Sequence, residues 1–447
     1  MENTSNKIGE SQSAKRIPTI STVFDDGSML ELLYDPKTQI TRFAYWKDGG
    51  WQYENDHRLN DTAVLIPYSA QNYLVKNEIV LLSSQPEEYG SELELLQSVK
   101  DFIHKYVAVS PLYEDIASYY VLFSWVYDGF NELPYLRVRG DPGCGKTRFL
   151  LTVGSLCYKP IFASGASSVS PLFRLLESFR GTLIIDESDF RFSDEKAELV
   201  KILNNGNVRG FPVLRSESNG KGEYNPFAYQ VYGPKILASR GDFQDLALES
   251  RFLSEEMGSG ELRPDIPINL PVAYRGEAQV LRNKLLMFRF RNRNKPRNLA
   301  GMTDAGLEPR LNQIFNPLFS IIDEPAARDR LRVIIAQAQK DLVQERGYKV
   351  EGQVLEVIQE LMVFNEVKLS IREITARFKD IHADEQDYKI SPKWIGNVIR
   401  KKLHLKTEKS HGTFKIADSE LSKLAGLFRR YGLAATQGES PADMVKC

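Results

Sequence analysis

Residues 140–147 have the sequence Gly140-Asp141-Pro142-Gly143-Cys144-Gly145-Lys146-Thr147, which fits the pattern G-x-x-x-x-G-K-[ST]. The segment follows an apolar strand, Tyr135 to Val138, and precedes a helix predicted from Arg148 to Cys157. Glycines let backbone N–H groups turn inward around phosphate oxygens, and the helix N-terminus adds the positive end of its dipole. Together with Arg148, the segment predicts an ATP-binding loop in which Lys146 contacts the β- and γ-phosphates and Thr147 holds Mg²⁺. A plain Gly-Pro turn is the alternative, and the flanking strand and helix argue against it.

Two acidic residues, Asp186 and Glu187, follow the apolar strand segment Leu183-Ile184-Ile185. In a parallel sheet this strand end faces the phosphate site, so Asp186 would anchor Mg²⁺ through water and Glu187 would polarise the attacking water. Adjacent acids repel each other unless a cation such as Mg²⁺ lies nearby. The alternative is an ordinary acidic first turn of a helix predicted from Ser188 to Glu198.

Short apolar strands alternate with helical segments between Pro134 and about Glu256. This order is typical of a parallel sheet with helices on both faces, so we expect an α/β fold. The predicted strands are Tyr135–Val138, Pro160–Ala163, Thr182–Ile185, Lys235–Ala238 and Phe252–Glu255.

Two polar residues adjoin the last two predicted strands. Ser239 follows one of them and could reach the γ-phosphate or its water, although Ser at a strand end is usually a turn residue. Arg251 immediately precedes the other, where it could reach the nucleotide of a neighbouring subunit as an arginine finger, which requires an oligomer. The alternative for Arg251 is a surface ion pair with Glu249 or Glu255.

Residues 206–233 contain two alternating segments joined by Asn219-Gly220-Lys221-Gly222, which predict a β-hairpin. A basic-tipped hairpin that projects into the centre of a ring would meet a phosphate backbone, so Arg215 and Lys221 are candidate DNA contacts. A decorative surface hairpin is the alternative, because Gly and Lys also occur in ordinary solvated turns.

These residues together resemble the AAA+ ATPases and, within them, the minichromosome maintenance (MCM) helicases and related replicative helicases of bacterial mobile elements. Residues 140–143 are similar to the MCM-type opening of the phosphate loop, and Ser250-Arg251-Phe252 resembles the MCM finger motif. The resemblance covers about residues 110–345 and, more loosely, the terminal winged helix. It implies a hexameric ring, ATP hydrolysis at subunit interfaces and translocation of DNA through the ring, and it implies that Arg310 is the sensor 2 arginine of a lid helix.

Three features depart from the MCM pattern. The phosphate loop ends in Cys144-Gly145-Lys146-Thr147 rather than in the Ala-Lys-Ser of most MCM proteins, Ser239 stands where Asn is usual, and the N-terminal part has no zinc cysteines. The resemblance to AAA+ ATPases is therefore broader than the resemblance to MCM.

The rest of the chain predicts smaller domains around this core. Spacing and turn residues predict the following divisions: a disordered tail at 1–17, a small β-rich domain at 18–90, a helical connector at 91–133, the AAA+ core at 134–260, a helical lid with a basic segment at 261–346, a winged helix at 347–432 and a tail at 433–447.

Two basic regions are further candidates for DNA contact. The run from Arg282 to Arg297 has seven Lys and Arg residues and no acid, which predicts a local positive field unless its members pair with acids elsewhere. In the winged helix, Lys393, Arg400 and Lys401 lie on or just after the third helix, which would enter a major groove. A protein-binding or regulatory module is the alternative for this domain.

Composition excludes several classes of protein. The 447 residues are 42% hydrophobic and 26% charged, typical of a globular protein, and Lys+Arg 58 against Asp+Glu 59 gives no overall excess for binding polyanions. The three cysteines cannot build a zinc knuckle, and no apolar run reaches the ~18 residues of a membrane span. The sequence begins without a basic-then-apolar signal segment, so we expect a cytoplasmic protein without membrane contact.

The leading expectation is a DNA helicase or translocase that uses ATP and Mg²⁺ and forms a homo-oligomeric ring, a hexamer, on single-stranded or forked DNA. Two alternatives stay open: an ATP-switched initiator or loader that binds DNA through its winged helix without unwinding, and a regulatory ATPase that acts on proteins.

Overall fold

The computed structural model describes residues 14–165, 167–186, 194–218, 224–241, 243, 246–258, 263–297, 303–304, 306–321, 324–347, 350–364, 369–382, 390–410 and 412–433. The chain divides into two compact units, residues 1–332 and 333–447. Each unit is described by itself.

The first unit begins with seven strands in two small sheets. They are β1 Lys15–Thr19, β2 Ser21–Val23, β3 Met29–Asp35, β4 Ile40–Lys47, β5 Gly50–Glu54, β6 His57–Asn60 and β7 Ala63–Pro67. One sheet has the antiparallel order β2-β3-β4-β5, and the other has the order β1-β7-β6. Strand β1 pairs with β7 from Lys15 onward, so the predicted tail at 1–17 is wrong for its last three residues, whose backbone groups are taken up by the sheet.

Strand β3 carries a charged side chain into the interior of this unit. Glu31 is 2% exposed, and its carboxylate lies 2.8 Å from Nε of Arg289 and 3.1 Å from Nζ of Lys159. The hydroxyl of Tyr158 also donates to it, at 2.8 Å. A buried carboxylate needs such partners to offset lost hydration. Glu31 therefore joins the N-terminal sheet to residues that lie 127 to 258 positions further along the chain.

Three helices follow: α1 Tyr73–Lys76, α2 Glu92–Tyr106 and α3 Pro111–Ser124. Helix α2 begins with a capping box, in which Ser91 accepts from the backbone N–H of Glu94 and the Glu94 carboxylate accepts from the N–H of Ser91. Helix α3 begins with Pro111 after the N-cap Ser110, and almost all its later residues are buried.

The centre of the first unit is a five-stranded parallel sheet. Its elements are β8 Tyr135–Arg139, α4 Lys146–Gly154, β9 Ile161–Ser164, α5 Val169–Phe179, β10 Leu183–Asp186, α6 Asp194–Asn205, β11 Val213–Ser218, β12 Tyr224–Tyr229, β13 Lys235–Ser239, α7 Leu246–Glu249 and β14 Phe252–Glu256. The strand order is β14-β8-β13-β10-β9, and β11 pairs with β12 as a separate antiparallel hairpin. The predicted α/β fold with a parallel sheet is confirmed. Because all five strands are parallel, the carboxyl ends of β8, β13 and β10 lie side by side.

The unit continues with α8 Ala273–Asn292, α9 Pro309–Phe319 and α10 Pro325–Gly347, of which α10 extends into the second unit. Helix α8 corrects the predicted positive field of the run from Arg282 to Arg297. Arg282 and Arg289 are buried, and Arg291, Arg293 and Lys295 form ion pairs with acids of earlier segments. The basic run is therefore largely neutralised by pairing, because α8 packs inside the unit instead of lying on its surface.

The second unit consists of a helical group and a small hairpin. The elements are α11 Val350–Phe364, α12 Ile371–His382, α13 Pro392–Asn397, a π-helical turn Val398–Lys402, β15 Thr407–Ser410, β16 Thr413–Ile416 and α14 Leu421–Arg430. The helices and the hairpin share one apolar core that includes Ile358, Phe378, Ile399 and Ile416. The first hairpin strand begins at Thr407, and Leu405, two residues earlier, is buried in that core.

In the described part of the chain, no helix has both the length and the apolar character needed to cross a bilayer.

Candidate nucleotide site and nucleic-acid interface

The loop between β8 and α4 has the backbone shape that its glycines predict. Gly140, Gly143 and Gly145 have φ values of 136°, 86° and 98°, which side chains rarely tolerate. A Cβ atom on Gly140 would lie 2.4 Å from the carbonyl oxygen of Met257, so the close approach of the residue after β14 also requires glycine. Helix α4 starts at Lys146, two residues before the predicted start, with Gly145 as N-cap. The loop therefore turns directly into a helix N-terminus, where backbone N–H groups can bind an anion.

Lys146 is held over this loop. Its ammonium group donates to the carbonyl oxygens of Gly140 at 2.6 Å and Asp141 at 2.7 Å. The side chain is half-buried and lies within the loop rather than in an ion pair on the surface. A phosphate bound in the loop would contact this ammonium directly, as the sequence predicts for the lysine of such a loop.

The hydroxyl of Thr147 donates to the carboxylate of Asp186 across 2.6 Å. Thr147 is in the first turn of α4, and Asp186 is the last residue of β10, so the loop and the acid-bearing strand meet at one edge of the sheet. Hydroxyl and carboxylate oxygens are suitable Mg²⁺ ligands, and Mg²⁺ commonly takes one or two protein ligands together with phosphate oxygens and water. These two residues therefore fit the predicted cation. Among the described residues, no cluster of three or more His, Cys, Asp and Glu offers another metal site.

Other predicted members of the site are placed differently. Ser239 lies on β13, between β8 and β10, but it is buried and its hydroxyl donates to the carbonyl of Gly241 at 3.0 Å, the turn role considered as its alternative. Arg148 donates to the carbonyls of Pro267 and Ile268, so it fastens the segment before α8 and does not point into the loop. Glu187 lies outside the described residues.

Arg251 lies at the opposite end of the sheet from the phosphate loop. Its carbonyl accepts from the N–H of Tyr135, the first residue of β8, whereas Gly140 follows the last residue of that strand. At about 3.3 Å per residue the two positions are roughly 16 Å apart. The guanidinium donates to the side chain of Asn204. Arg251 is thus placed away from the phosphate loop of its own subunit. The backbone of Arg310 begins α9, but its side chain is outside the described set.

One residue near the site was missed by the sequence reasoning. Arg137 is fully buried in the middle of β8, where it donates to both carboxylate oxygens of Glu249 and, at 2.9 Å, to the hydroxyl of Ser254. The rings of Phe243 and Phe252 each lie 5.1 Å from its guanidinium carbon. The available signal was an Arg in the middle of the predicted apolar strand Tyr135–Val138, which indicates a buried acid partner.

The predicted hairpin is present as β11 and β12, and its base is anchored by Lys235. The Lys235 ammonium is buried and donates to the carbonyls of Val231 and Gly233, each at 2.9 Å. Burial, with a smaller effect of the nearby Arg251 charge, holds the pKa of Lys235 well below its usual value.

The candidate DNA contacts of this hairpin have different positions. Arg215 forms an ion pair with Glu198, and its guanidinium carbon lies 4.2 Å from the centre of the Phe173 ring, so its charge is already used. Arg215 is therefore not part of the proposed interface. Lys221, at the hairpin tip, lies outside the described residues.

In the second unit, Lys393, Arg400 and Lys401 are all exposed. Lys393 lies on α13, and the other two lie on the π-helical turn that continues it. The neighbouring Lys402 differs, because its ammonium pairs with Glu351 at 2.8 Å. The predicted third helix therefore presents basic side chains to solvent.

Comparisons with known proteins add little to this geometry. No protein-family model and no curated protein matches the chain. Solved structures of helicases are among the similar ones. The apo A form of the NrS-1 C-terminal region has a TM-score of 0.36 and 12% identity, over 87% of this chain and 96% of that chain. The JCV helicase has a TM-score of 0.24 and 13% identity, over 57% of this chain and 64% of that chain. At TM-scores below 0.5 such likeness carries no argument, so the proposal below rests on the residues of the chain.

Proposed function

We propose that this chain is an ATP-dependent DNA helicase or translocase of the AAA+ class that acts as a hexameric ring and hydrolyses ATP between subunits. The observation that supports this best is the 2.6 Å hydrogen bond between Thr147 and Asp186. It lies at the N-terminus of α4, directly after the glycine-containing loop. Two sequence motifs separated by about forty residues meet there, which supports a site for the phosphates and the cation of a nucleoside triphosphate.

The proposed chemistry is positioning and charge stabilisation. Backbone N–H groups of the loop and the Lys146 ammonium would bind the phosphates and stabilise negative charge as the terminal phosphate leaves. Thr147 and Asp186 would hold Mg²⁺, which when bound neutralises phosphate charge. Glu187, directly after Asp186, would orient the attacking water.

Arg251 supports the proposal that ATP is hydrolysed between subunits. A guanidinium at the far end of the sheet is too distant from its own phosphate loop to contact it, but it would be suitably placed to contact the loop of an adjacent copy. An arginine finger in trans links hydrolysis to assembly, as a ring motor requires.

Two elements are proposed to contact DNA. The β11–β12 hairpin would contact a DNA strand in the centre of the ring through Lys221. The second unit, with three helices followed by a hairpin, would be a winged helix whose exposed Lys393, Arg400 and Lys401 face a DNA backbone or groove. The same basic surface favours the second candidate, an initiator or loader that marks a DNA site without unwinding it.

A forked-duplex unwinding assay with ATP and Mg²⁺ separates these candidates. The parental protein is expected to separate strands, Glu187→Gln to bind ATP without turnover, and Lys221→Ala to hydrolyse ATP without strand separation. Lys76→Ala, which removes an exposed charge from α1, is the matched control. Strand separation by none of the proteins, with DNA binding retained, would favour the initiator. Parental turnover by Glu187→Gln would contradict the assignment of the water-orienting residue.

A further inference from the structure

A cavity of about 550 Å³ lies at the opposite end of the central sheet from the phosphate loop. Its walls come from β2 of the N-terminal sheet, from Arg180 and Tyr232, each three residues before the start of β10 and β13, and from Tyr127, whose hydroxyl contacts the backbone of Arg180. Parallel strands place these positions together at the amino end of the sheet. The cavity is therefore separate from the ATP site.

Its walls carry an excess of positive charge. Four arginines and one acid line it: Arg180, Arg209, Arg289, Arg293 and Asp128. Asp128 is paired with Arg289 at 2.8 Å and with Arg293 at 3.4 Å, and Glu31, which is not part of the lining, also pairs with Arg289, so the positive charge that remains comes from Arg180 and Arg209.

The two remaining arginines are weakly compensated. Arg180 has a side chain that is 62% exposed, and it reaches Glu177 only at 3.3 Å in a surface pair, which is worth little. The guanidinium of Arg209, among the described residues, contacts the backbone carbonyl of Asp128 and lies 5.3 Å from the Tyr232 ring centre, rather than against a carboxylate. Both could donate further hydrogen bonds to an anion.

The aromatic wall is held in place before any ligand arrives. Tyr127 donates to the carbonyl of Arg180 at 2.6 Å, and Tyr232 donates to the carbonyl of Phe130 at 2.7 Å. Burial raises the pKa of both phenols, so they stay neutral at physiological pH and add no negative charge to the cavity. A fixed aromatic ring can stack on a nucleobase, and a neighbouring guanidinium group can bind the phosphate of the same nucleotide.

We propose that this cavity is a second nucleotide-binding site, which takes one nucleotide unit with its phosphate on Arg180 and Arg209 and its sugar and base along the tyrosine wall. The volume lies within the ~300–1,000 Å³ range of small-ligand sites. The unit could be a free nucleotide or one residue of a single strand, because both present the same phosphate and ring chemistry.

The test compares Arg180→Gln/Arg209→Gln with the control Arg58→Gln/Arg275→Gln, whose arginines are 68% and 84% exposed in surface pairs and lie outside the cavity lining. The probes are ADP, with stoichiometry measured by calorimetry, and fluorescent oligo(dT), with affinity measured by anisotropy over a salt series. We expect the cavity variant to lose at least about tenfold in affinity for one probe, because two charge-assisted hydrogen bonds disappear.

The two probes distinguish a free nucleotide from one residue of a DNA strand. Loss of one ADP per chain assigns a free nucleotide, whereas loss confined to oligo(dT), with a salt slope lower by about 0.7 for the one phosphate, assigns a strand. Equal binding of both probes by the cavity and control variants overturns the proposal. If the double variant does not fold, as judged by its melting curve, Arg180→Gln alone decides in the same way, because that side chain is on the surface. ATP hydrolysis without DNA should be unchanged in each variant, so failure here is distinguishable from failure of the proposed motor function.

Discussion

Arg137 and Glu249 form a buried bidentate ion pair that connects the strand before the phosphate loop to the helix before Arg251. One Nη–Oε distance is 2.8 Å, and Arg137 has no exposed surface. Arg137 precedes Gly140 by three residues, and Glu249 precedes Arg251 by two. The pair therefore holds β8, which leads into the loop, against the helix that leads to Arg251.

Breaking this pair should cost more than replacing it. Arg137→Met or Glu249→Gln alone should lower the free energy of unfolding by about 3–5 kcal/mol, because a buried charge loses the opposite charge beside it. Arg137→Met/Glu249→Gln should lower it by less than the sum of the two. Urea unfolding of the three variants measures the coupling, and strict additivity would contradict the interaction.

The contact between Thr147 and Asp186 predicts loss of hydrolysis without loss of fold. Thr147→Ala and Asp186→Asn should each reduce ATP turnover at least about 100-fold, since the first removes a hydroxyl ligand and the second replaces a charged carboxylate by a neutral amide at the proposed Mg²⁺ site. Thr147→Ser keeps the hydroxyl and should retain most activity. Turnover measured against Mg²⁺ concentration checks this, and an active Thr147→Ala would show that the hydroxyl is dispensable.

Arg251 should act on the nucleotide of another subunit. Arg251→Ala and Lys146→Ala proteins are each expected to be inactive, but a mixture should regain part of the turnover, because some interfaces then combine an intact loop with an intact arginine. The measurement is ATP hydrolysis across mixing ratios. A mixture as inactive as its components would show that the two residues do not serve one shared site.

Asp128 predicts a stability difference that depends on pH. Burial disfavours its charge, but the charges of Arg289 and Arg293 outweigh that effect and hold the pKa of its carboxyl well below the usual range. A lowered folded-state pKa gives stability that is present above the unfolded pKa of about 3.9 and lost as the pH falls below it. Asp128→Asn should therefore be less stable than the parent by about 2 kcal/mol at pH 7, and the gap should shrink below about pH 4. Thermal unfolding between pH 3 and pH 7 measures it, and a gap that widens on acidification would reverse the sign.

Two adjacent lysines of the second unit should differ in their effect on DNA binding. Lys401→Ala removes an exposed charge and should weaken binding to duplex DNA severalfold, with a salt slope lower by about 0.9. Lys402→Ala removes a charge that Glu351 already pairs, so it should change affinity less. Anisotropy titrations at several salt concentrations compare them, and equal slopes for both variants and the parent would argue against DNA contact by this surface.

Local signals in the sequence were sufficient for the centre of the protein. The glycine spacing before Lys146 and the apolar strand before Asp186 each depend on a few neighbouring residues, and the structure shows both with the expected sheet around them. Ends of elements were less accurate, because α4 begins inside the motif and β1 begins inside the assumed tail.

Long-range pairing was the part that sequence could not predict. The basic run before Arg297 looked like a free positive surface, yet Arg291 and Lys295 pair with Glu88 and Glu92, about two hundred residues earlier. Arg215 likewise pairs with Glu198. The distribution of charged residues along the sequence does not reveal which acidic side chain the fold will bring to each basic side chain.

The interior position of Glu31 limits how this protein can be dissected. A version trimmed of its first ninety residues would leave the Lys159 ammonium without its carboxylate and would remove one of the two acids that pair with Arg289. Such a truncation should therefore lose activity through misfolding, and its inactivity would be uninformative about any role of the leading sheet in handling DNA.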